Sequence, residues 1–577
     1  MRKDGKARAS CPGRGWGRVV FPRWTGNLLV WSGAVIVMGA CSPQMYRNRA
    51  DREVYGALIE RTPEVANVSP SDIELVTPDP PDLSNLASNS QTDSFLGEFA
   101  SYEQGAKVLT LDEALATGIR HSRDYLTTKE SLYLQALDLT LARFRLQPIF
   151  YAGGAGTRAV DSRTAKLEEG MTEIVSTNTF ARTQSAGFNW LCQTGARLSA
   201  DFTQDFLRIM TGNESVNRSD LAVTLVQPLL QGGGTTVTME ALTQEERDLL
   251  YALRDFADYR RDFIVDLVSE YYGVLLAREI VKNNYLAYQG FLKNVEREEA
   301  FAEEDRRTQN QLGRLRQAKL QAESRWIAAI RTYLNRLDEF KISLGVPVDS
   351  RLVLDAKELA KLRIDDPDVS REESVEVALV TRPDLANAAD RVVDSERKVK
   401  VARNGLLPRL DVALDYNSVS DPGDTTPAIN WDRRRWAGSV DLDLPLNRKA
   451  ERNIYRATFI QVDRAKRAED LARDRARLEI YDGWRALDQK RISFDIAEQG
   501  VALAARRLEE QLLLSELGRG VALDLVDAQE DLVDAQNQRT SALIDHTVAR
   551  LRLWRDMGIL YIESDGRWAE TLGDERP

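Results

Sequence analysis

At 577 residues, with 43% hydrophobic and 29% charged side chains, the chain is long enough for several packed elements and too apolar for wholesale disorder. Its net charge of −11 makes it a poor partner for nucleic acid. Three cysteines and two histidines, well separated, leave almost no material for a thiolate cluster, a histidine metal site or a catalytic triad, so no catalytic, metal or cofactor residues are assigned and no enzyme is expected.

Residues 1–40 read as a lipoprotein signal peptide. Seven basic residues precede Leu28–Met38, an uncharged, mostly apolar stretch too short to span a bilayer. It ends in Met38-Gly39-Ala40-Cys41, small residues followed by a cysteine, so Cys41 is the expected lipidation site. Cleavage there would move the net charge to about −17. Residues 41–106 are rich in Pro, Ser, Asn and Asp and read as an extended linker from the anchor.

From residue 107 the chain repeats itself. Thr110-Leu-Asp-Glu113 and Ser370-Arg-Glu-Glu373 are both capping boxes, the mark of a helix start. Asp124 and Asp384 follow, then Pro148 and Pro408, all at a common offset of 260 residues. Each helix is expected to end at its proline and give way to strands. A second proline, Pro228 or Pro445, is expected to restart a helical tract ending at Gly345 or Gly558. The repeats are thus 107–345 and 370–558, with an inter-repeat linker at 346–369 and a peripheral tail at 559–577.

In the second repeat the strands alternate strictly. Leu410, Val412, Leu414 and Tyr416 interleave with Asp411, Ala413, Asp415 and Asn417. Trp436, Val440, Leu442 and Leu444 interleave with positions that include Asp441 and Asp443. One apolar and one acidic face suit a transmembrane barrel with lipid outside and water inside, and place Asp411, Asp415, Asp441 and Asp443 in the lumen. The first repeat carries about 43 more residues between its prolines, an insert at about 150–227 with a hairpin expected around Thr194-Gly195. Whether it adds barrel strands or forms an external loop stays open.

The helical tracts are long and carry a narrow apolar stripe, the pattern of coiled-coil packing. A break near Leu517-Gly518-Arg519-Gly520 folds the second tract into a hairpin.

Helix, strand pair and long helical hairpin, all twice, resemble the TolC-like outer-membrane efflux proteins. The resemblance covers roughly residues 107–560. It rests on Arg382-Pro383-Asp384-Leu385, Gly405-Leu406-Leu407-Pro408, Gln227 to Gly233 and Leu523-Asp524-Leu525-Val526-Asp527-Ala528 in this order. It implies a mostly α-helical protein with a membrane β-barrel. Each protomer of a homotrimer would give four strands to a twelve-stranded barrel above a periplasmic helical tunnel. It implies outer-membrane lipid, a periplasmic adaptor (membrane fusion protein) and an inner-membrane pump as partners, in tripartite efflux or type I secretion. It also implies a periplasmic entrance ringed by Asp524 and Asp527, with Arg314 and Arg519 as cationic partners. The family's linking basic residue falls at Gly520, which leaves the closed-state bridge open. The rival readings are a periplasmic coiled-coil scaffold and a lipid-anchored pump adaptor. The latter's single hairpin fits a two-hairpin chain poorly.

Overall fold

A computed structural model describes residues 42–75, 79–90, 94–166, 172–210, 215–303, 309–421, 429–517 and 519–570. Among these, residues 42–56 and the residues from Ala57 onward belong to two separate compact units. In the first, residues 43–56 are helical, the opening of α1 (Pro43–Arg61). That corrects the extended linker: a proline at the first helical position pre-sets φ, and Arg49 pairs with Glu53 one turn on at 3.3 Å.

The second unit holds both repeats. After β1 (Lys107–Leu109), the Thr110 hydroxyl accepts from the Glu113 amide and the Glu113 carboxylate accepts from the Thr110 amide, opening α2 (Leu111–His121). Ser122 then leaves the helical region, with φ −60° and ψ 126°, before α3 (Arg123–Phe144). One helix was expected here. Residues 370–404 break alike, and there the reason is visible: Pro383 disfavours the helical region for Arg382.

Four strands follow: β2 (Ile149–Lys166), β3 (Thr172–Leu191), β4 (Arg197–Ile209) and β5 (Ser215–Pro228). Then come α4 (Glu240–Glu303), α5 (Gln309–Leu344) and the short strand β6 (Leu352–Leu354). The second repeat runs α6 (Arg371–Thr381), α7 (Pro383–Asn404), β7 (Arg409–Val419), β8 (Arg434–Asp443), α8 (Lys449–Glu516) and α9 (Ala522–Asp556). β9 (Leu560–Ile562) and β10 (Trp568–Glu570) close the described chain.

Strands β2, β3, β4, β5, β7 and β8 form one antiparallel sheet in that order. The chain therefore gives six strands where four were expected, because the insert pairs within the sheet. Pro148 and Pro408 each sit directly before a strand, as expected. Pro228 does not restart a helix. It ends β5, and α4 begins at Glu240 after a short helical turn. Pro445 lies four residues before α8.

The long helices pair as α4 with α5 and α8 with α9, and α4 also packs on α9. At 64 and 68 residues, α4 and α8 would each reach roughly 100 Å if straight. Both hairpins end in glycine with left-handed φ, 76° at Gly345 and 74° at Gly558. Each closes with the same two bonds: Gly345 N–H to the Ile342 carbonyl at 3.0 Å and Val346 N–H to the Lys341 carbonyl at 2.9 Å, and Gly558 N–H to the Arg555 carbonyl at 2.8 Å and Ile559 N–H to the Trp554 carbonyl at 3.2 Å.

The main core lies where these ends meet the short helices. Leu109, Leu115, Val268, Tyr271, Tyr333, Phe340, Leu344, Leu354, Leu551 and Trp554 are buried together. β6 pairs in parallel with β1, so the inter-repeat segment is part of this core. Leu560 and Ile562 are buried in it too, and Trp568 packs against it. The tail's first residues are therefore structural, which corrects the peripheral reading.

Candidate functional site

The sheet has two chemically opposite faces, and the strand register carries them across all six strands. One row of facing residues runs Phe150, Phe188, Ala200, Val223, Tyr416, Trp436. Every member is apolar. Phe150 and Phe188 meet at 5.6 Å between ring centroids, and Tyr416 and Trp436 at 4.6 Å. The next row, on the other face, runs Ile149, Asn189, Ser199, Thr224, Asp415, Ala437, and is mostly polar or small. Side-chain period two explains the reversal from row to row.

The four aspartates named from the sequence all lie on this polar face. Asp411 stands opposite Asp441 and Asp443 opposite Arg409. Asp415 accepts a hydrogen bond from the Thr224 hydroxyl at 2.8 Å, and Arg409 bonds Asp411 at 2.7 Å. Neighbouring strands add Asp201, Asp205 and Asp220 to the same face, acids the sequence reading did not single out.

Below the sheet, one layer of loops ties strands to helices. Leu229 N–H donates to the Leu410 carbonyl at 2.8 Å, Gln231 N–H to the Pro408 carbonyl at 3.2 Å, and Gly232 N–H to the Asn404 side-chain oxygen at 2.8 Å. The Gln227–Gly233 run thus stitches the first repeat's strand end to the second repeat's helix–strand junction.

At the far end of the helical hairpins, α8 stops at Glu516 and α9 starts at Ala522, where the break was expected. Leu525, Val526 and Ala528 are buried, while Asp524 and Asp527 are exposed on the opposite side of the helix. Ala522 and Val526 pack on Phe291, Val295 and Leu315 of the other hairpin. Ser515 donates to buried Glu298 at 2.8 Å, a tie between hairpins that sequence reasoning missed. Arg314 and Arg519 are exposed. Among the described residues of this chain, neither arginine pairs with Asp524 or Asp527, so a single chain does not bring the four together. Cys41 lies outside the described residues. No described helix is long and apolar enough to cross a membrane.

Solved structures with this architecture include outer-membrane channels. CusC superposes with a TM-score of 0.57 at 12% identity, over 78% of this chain and 92% of that one. The Campylobacter jejuni CmeC outer membrane channel gives 0.56 at 15%, over 83% and 94%. The fold is that of the TolC-like outer-membrane channels. In sequence the chain is similar to the pyoverdine export outer membrane protein OpmQ of Pseudomonas putida, 26% identical over 197 residues, and to the outer membrane efflux protein BepC of Brucella suis, 25% identical over 187. These matches take in 31% of this chain, which spans 38% and 39% of the length of those relatives. No family model matches.

Proposed function

We propose that this protein is the outer-membrane channel-tunnel of a tripartite efflux or type I secretion system, carrying solutes from an inner-membrane pump or the periplasm to the exterior. The observation that carries the reading is the two-faced sheet. Its apolar face ends at two strands with no outer partner among the described residues, β2 and β8, and there Phe150 is 76% exposed and Trp436 71% exposed. Bare aromatics suit lipid and not water, but open strand edges cannot persist in lipid, where every backbone polar group needs a partner. β2 runs away from the helices and β8 returns toward them, so β8 of one copy meets β2 of the next antiparallel, as barrel closure requires.

Three copies close the barrel, and their helical hairpins form the tunnel below it. The acidic face lines the lumen through Asp411, Asp415, Asp441 and Asp443. Asp524 and Asp527 ring the entrance in three copies, with Arg314 and Arg519 of neighbouring copies as breakable partners. Cys41 carries the lipid anchor in the outer membrane, and a periplasmic adaptor docks on the tunnel. The similarity to OpmQ and BepC supports export as the task, and leaves the cargo to the pump.

Fractionation tests this. The protein should sediment with outer membranes and run as a heat-dissociable trimer on a detergent gel. A monomer released with the periplasmic contents would overturn the reading.

A further inference from the structure

We infer that the barrel is built from eighteen strands, six from each of three chains, and that its outer exit admits cargo far wider than a twelve-stranded exit would. The inference rests on the channel reading above and fixes the size class of what the exit passes.

Four observations place the added hairpin β3–β4 in the barrel wall and not outside it. The register is unbroken, with β3 paired to β4 from Thr179–Ile209 to Leu191–Arg197, and β4 paired to β5 from Arg197–Val226 to Arg208–Ser215. The faces continue as well along the part of the hairpin nearer its inner turn: Phe188, Ala200 and Phe202 join the apolar side, which gives way to Gln184 and Gln204 further out, and Ser199, Asp201, Thr203 and Asp205 join the polar one. All six strands, at 18, 20, 13, 14, 11 and 10 residues, reach the roughly 9–11 residues that a tilted membrane strand needs.

The fourth observation concerns the inner turn of the hairpin. Gly195, with φ 91°, brings that turn so close to the 228–234 loop that a Cβ would lie 2.8 Å from the Gly232 carbonyl oxygen. Gly234 N–H donates to the Thr194 carbonyl at 3.0 Å, and the Gln227 amide donates to it at 3.4 Å. The turn is anchored in the same loop layer that joins the other strands to their helices. A hairpin lying outside the wall would have no reason to reach that layer. Only the outer part of the β2–β3 hairpin, beyond Ala159 and Thr179, extends past the end of β4.

Barrel width grows with strand number. At a strand spacing of about 4.8 Å and a tilt of about 40°, twelve strands give a backbone diameter of roughly 24 Å and eighteen roughly 36 Å. After lumen side chains take about 5 Å on each side, the openings are roughly 14 and 26 Å. An α-helical polypeptide with its side chains, about 10–12 Å across, nearly fills the first and passes freely through the second. The exit of this protein thus suits bulky hydrated cargo as well as small solutes.

Single cysteines in a Cys192→Ala background test the wall. Ser199→Cys and Thr203→Cys should react with a membrane-impermeant thiol reagent and lower single-channel conductance. Ala200→Cys and Phe202→Cys should react about tenfold more slowly and leave conductance unchanged, since a thiolate does not form in lipid. Neutral polyethylene glycols added from the outer side alone gauge the exit independently of the entrance: coils about 20 Å across should enter and reduce conductance. Conducting trimers in which all four cysteines react alike, or in which such coils are excluded, would overturn the eighteen-stranded wall while leaving the channel intact. Trimers that never conduct would remove the channel reading and this inference together.

Discussion

Substituting Gly345 with alanine places a methyl carbon 1.9 Å from the His121 carbonyl oxygen and 2.4 Å from its carbonyl carbon. Gly558 occupies the corresponding helix end of the second repeat with nearly the same φ. Its added carbon would stand 3.0 Å from the Thr381 hydroxyl and 3.3 Å from that residue's backbone. The two substitutions share one cost, the left-handed backbone, at about 1–2 kcal/mol each. They differ in the collision. At Gly558 a few tenths of an ångström suffice, although the Thr381 hydroxyl is also committed to the Met557 carbonyl at 2.5 Å. At Gly345 the end of α2 must move by more than 1 Å, out of a core holding Leu344 and Leu115, which adds roughly 1–3 kcal/mol or more. Gly345→Ala should therefore lower the apparent unfolding midpoint clearly further than Gly558→Ala, measured by circular dichroism in detergent at one scan rate. Gly345→Asn, which tolerates left-handed φ but keeps the Cβ, should not rescue it. Equal losses at the two glycines would mean that φ alone matters and that the close approach to His121 is not real.

Arg260 is fully buried, bonding Asp72 at 2.8 Å and the carbonyls of Asn67 and Glu563. Arg260→Met alone should destabilise by about 3–5 kcal/mol, and adding Asp72→Leu should recover part of the loss, read as proteolytic protection of residues 57–75. Burial pushes Asp258 up to about 6, and its Arg261 partner at 2.9 Å offsets only part of that. A carboxyl raised in the folded state binds protons more readily there, so its contribution is most favourable below about pH 4 and is lost as pH rises through about 6. Asp258→Asn should flatten the pH dependence of stability across that window, and an unchanged slope in thermal melts would refute the assignment. Asn at both Asp524 and Asp527 should weaken channel block by multivalent cations and leave trimers intact, as read in bilayer recordings. Cys41→Ala should abolish incorporation of radiolabelled palmitate, and failure of the parent to incorporate it would remove the anchor from the account.

The elements that follow local rules were legible in the sequence. Thr110–Glu113 and Ser370–Glu373 declare their helix starts through side chains that reach their own backbone. Gly345 and Gly558 mark helix ends because a left-handed residue is needed there. The β7 and β8 strands announce themselves by alternation. The first-repeat strands were harder to read, since β2 runs from Ile149-Phe150 straight into Tyr151-Ala-Gly-Gly-Ala-Gly156, where small residues blur the two faces. Its partner β3 alternates only when seen beside β4. The docking of 559–570 and the buried Arg260 depend on contacts hundreds of residues apart, which no local pattern encodes. The tip aspartates could be placed on one helix face from their spacing, but spacing does not encode whom they face, which in the proposed trimer is a neighbouring copy.

The most direct measurement is electrical. Purified trimers inserted into a planar lipid bilayer under a salt gradient should give discrete conductance steps with a reversal potential of cation-selective sign, because eight aspartates on the polar face of each sheet, Asp161 of β2 included, outnumber the arginines beside them. A well-formed trimer that leaves the bilayer electrically silent would contradict the channel, and one that conducts with anion preference would contradict the acidic lumen.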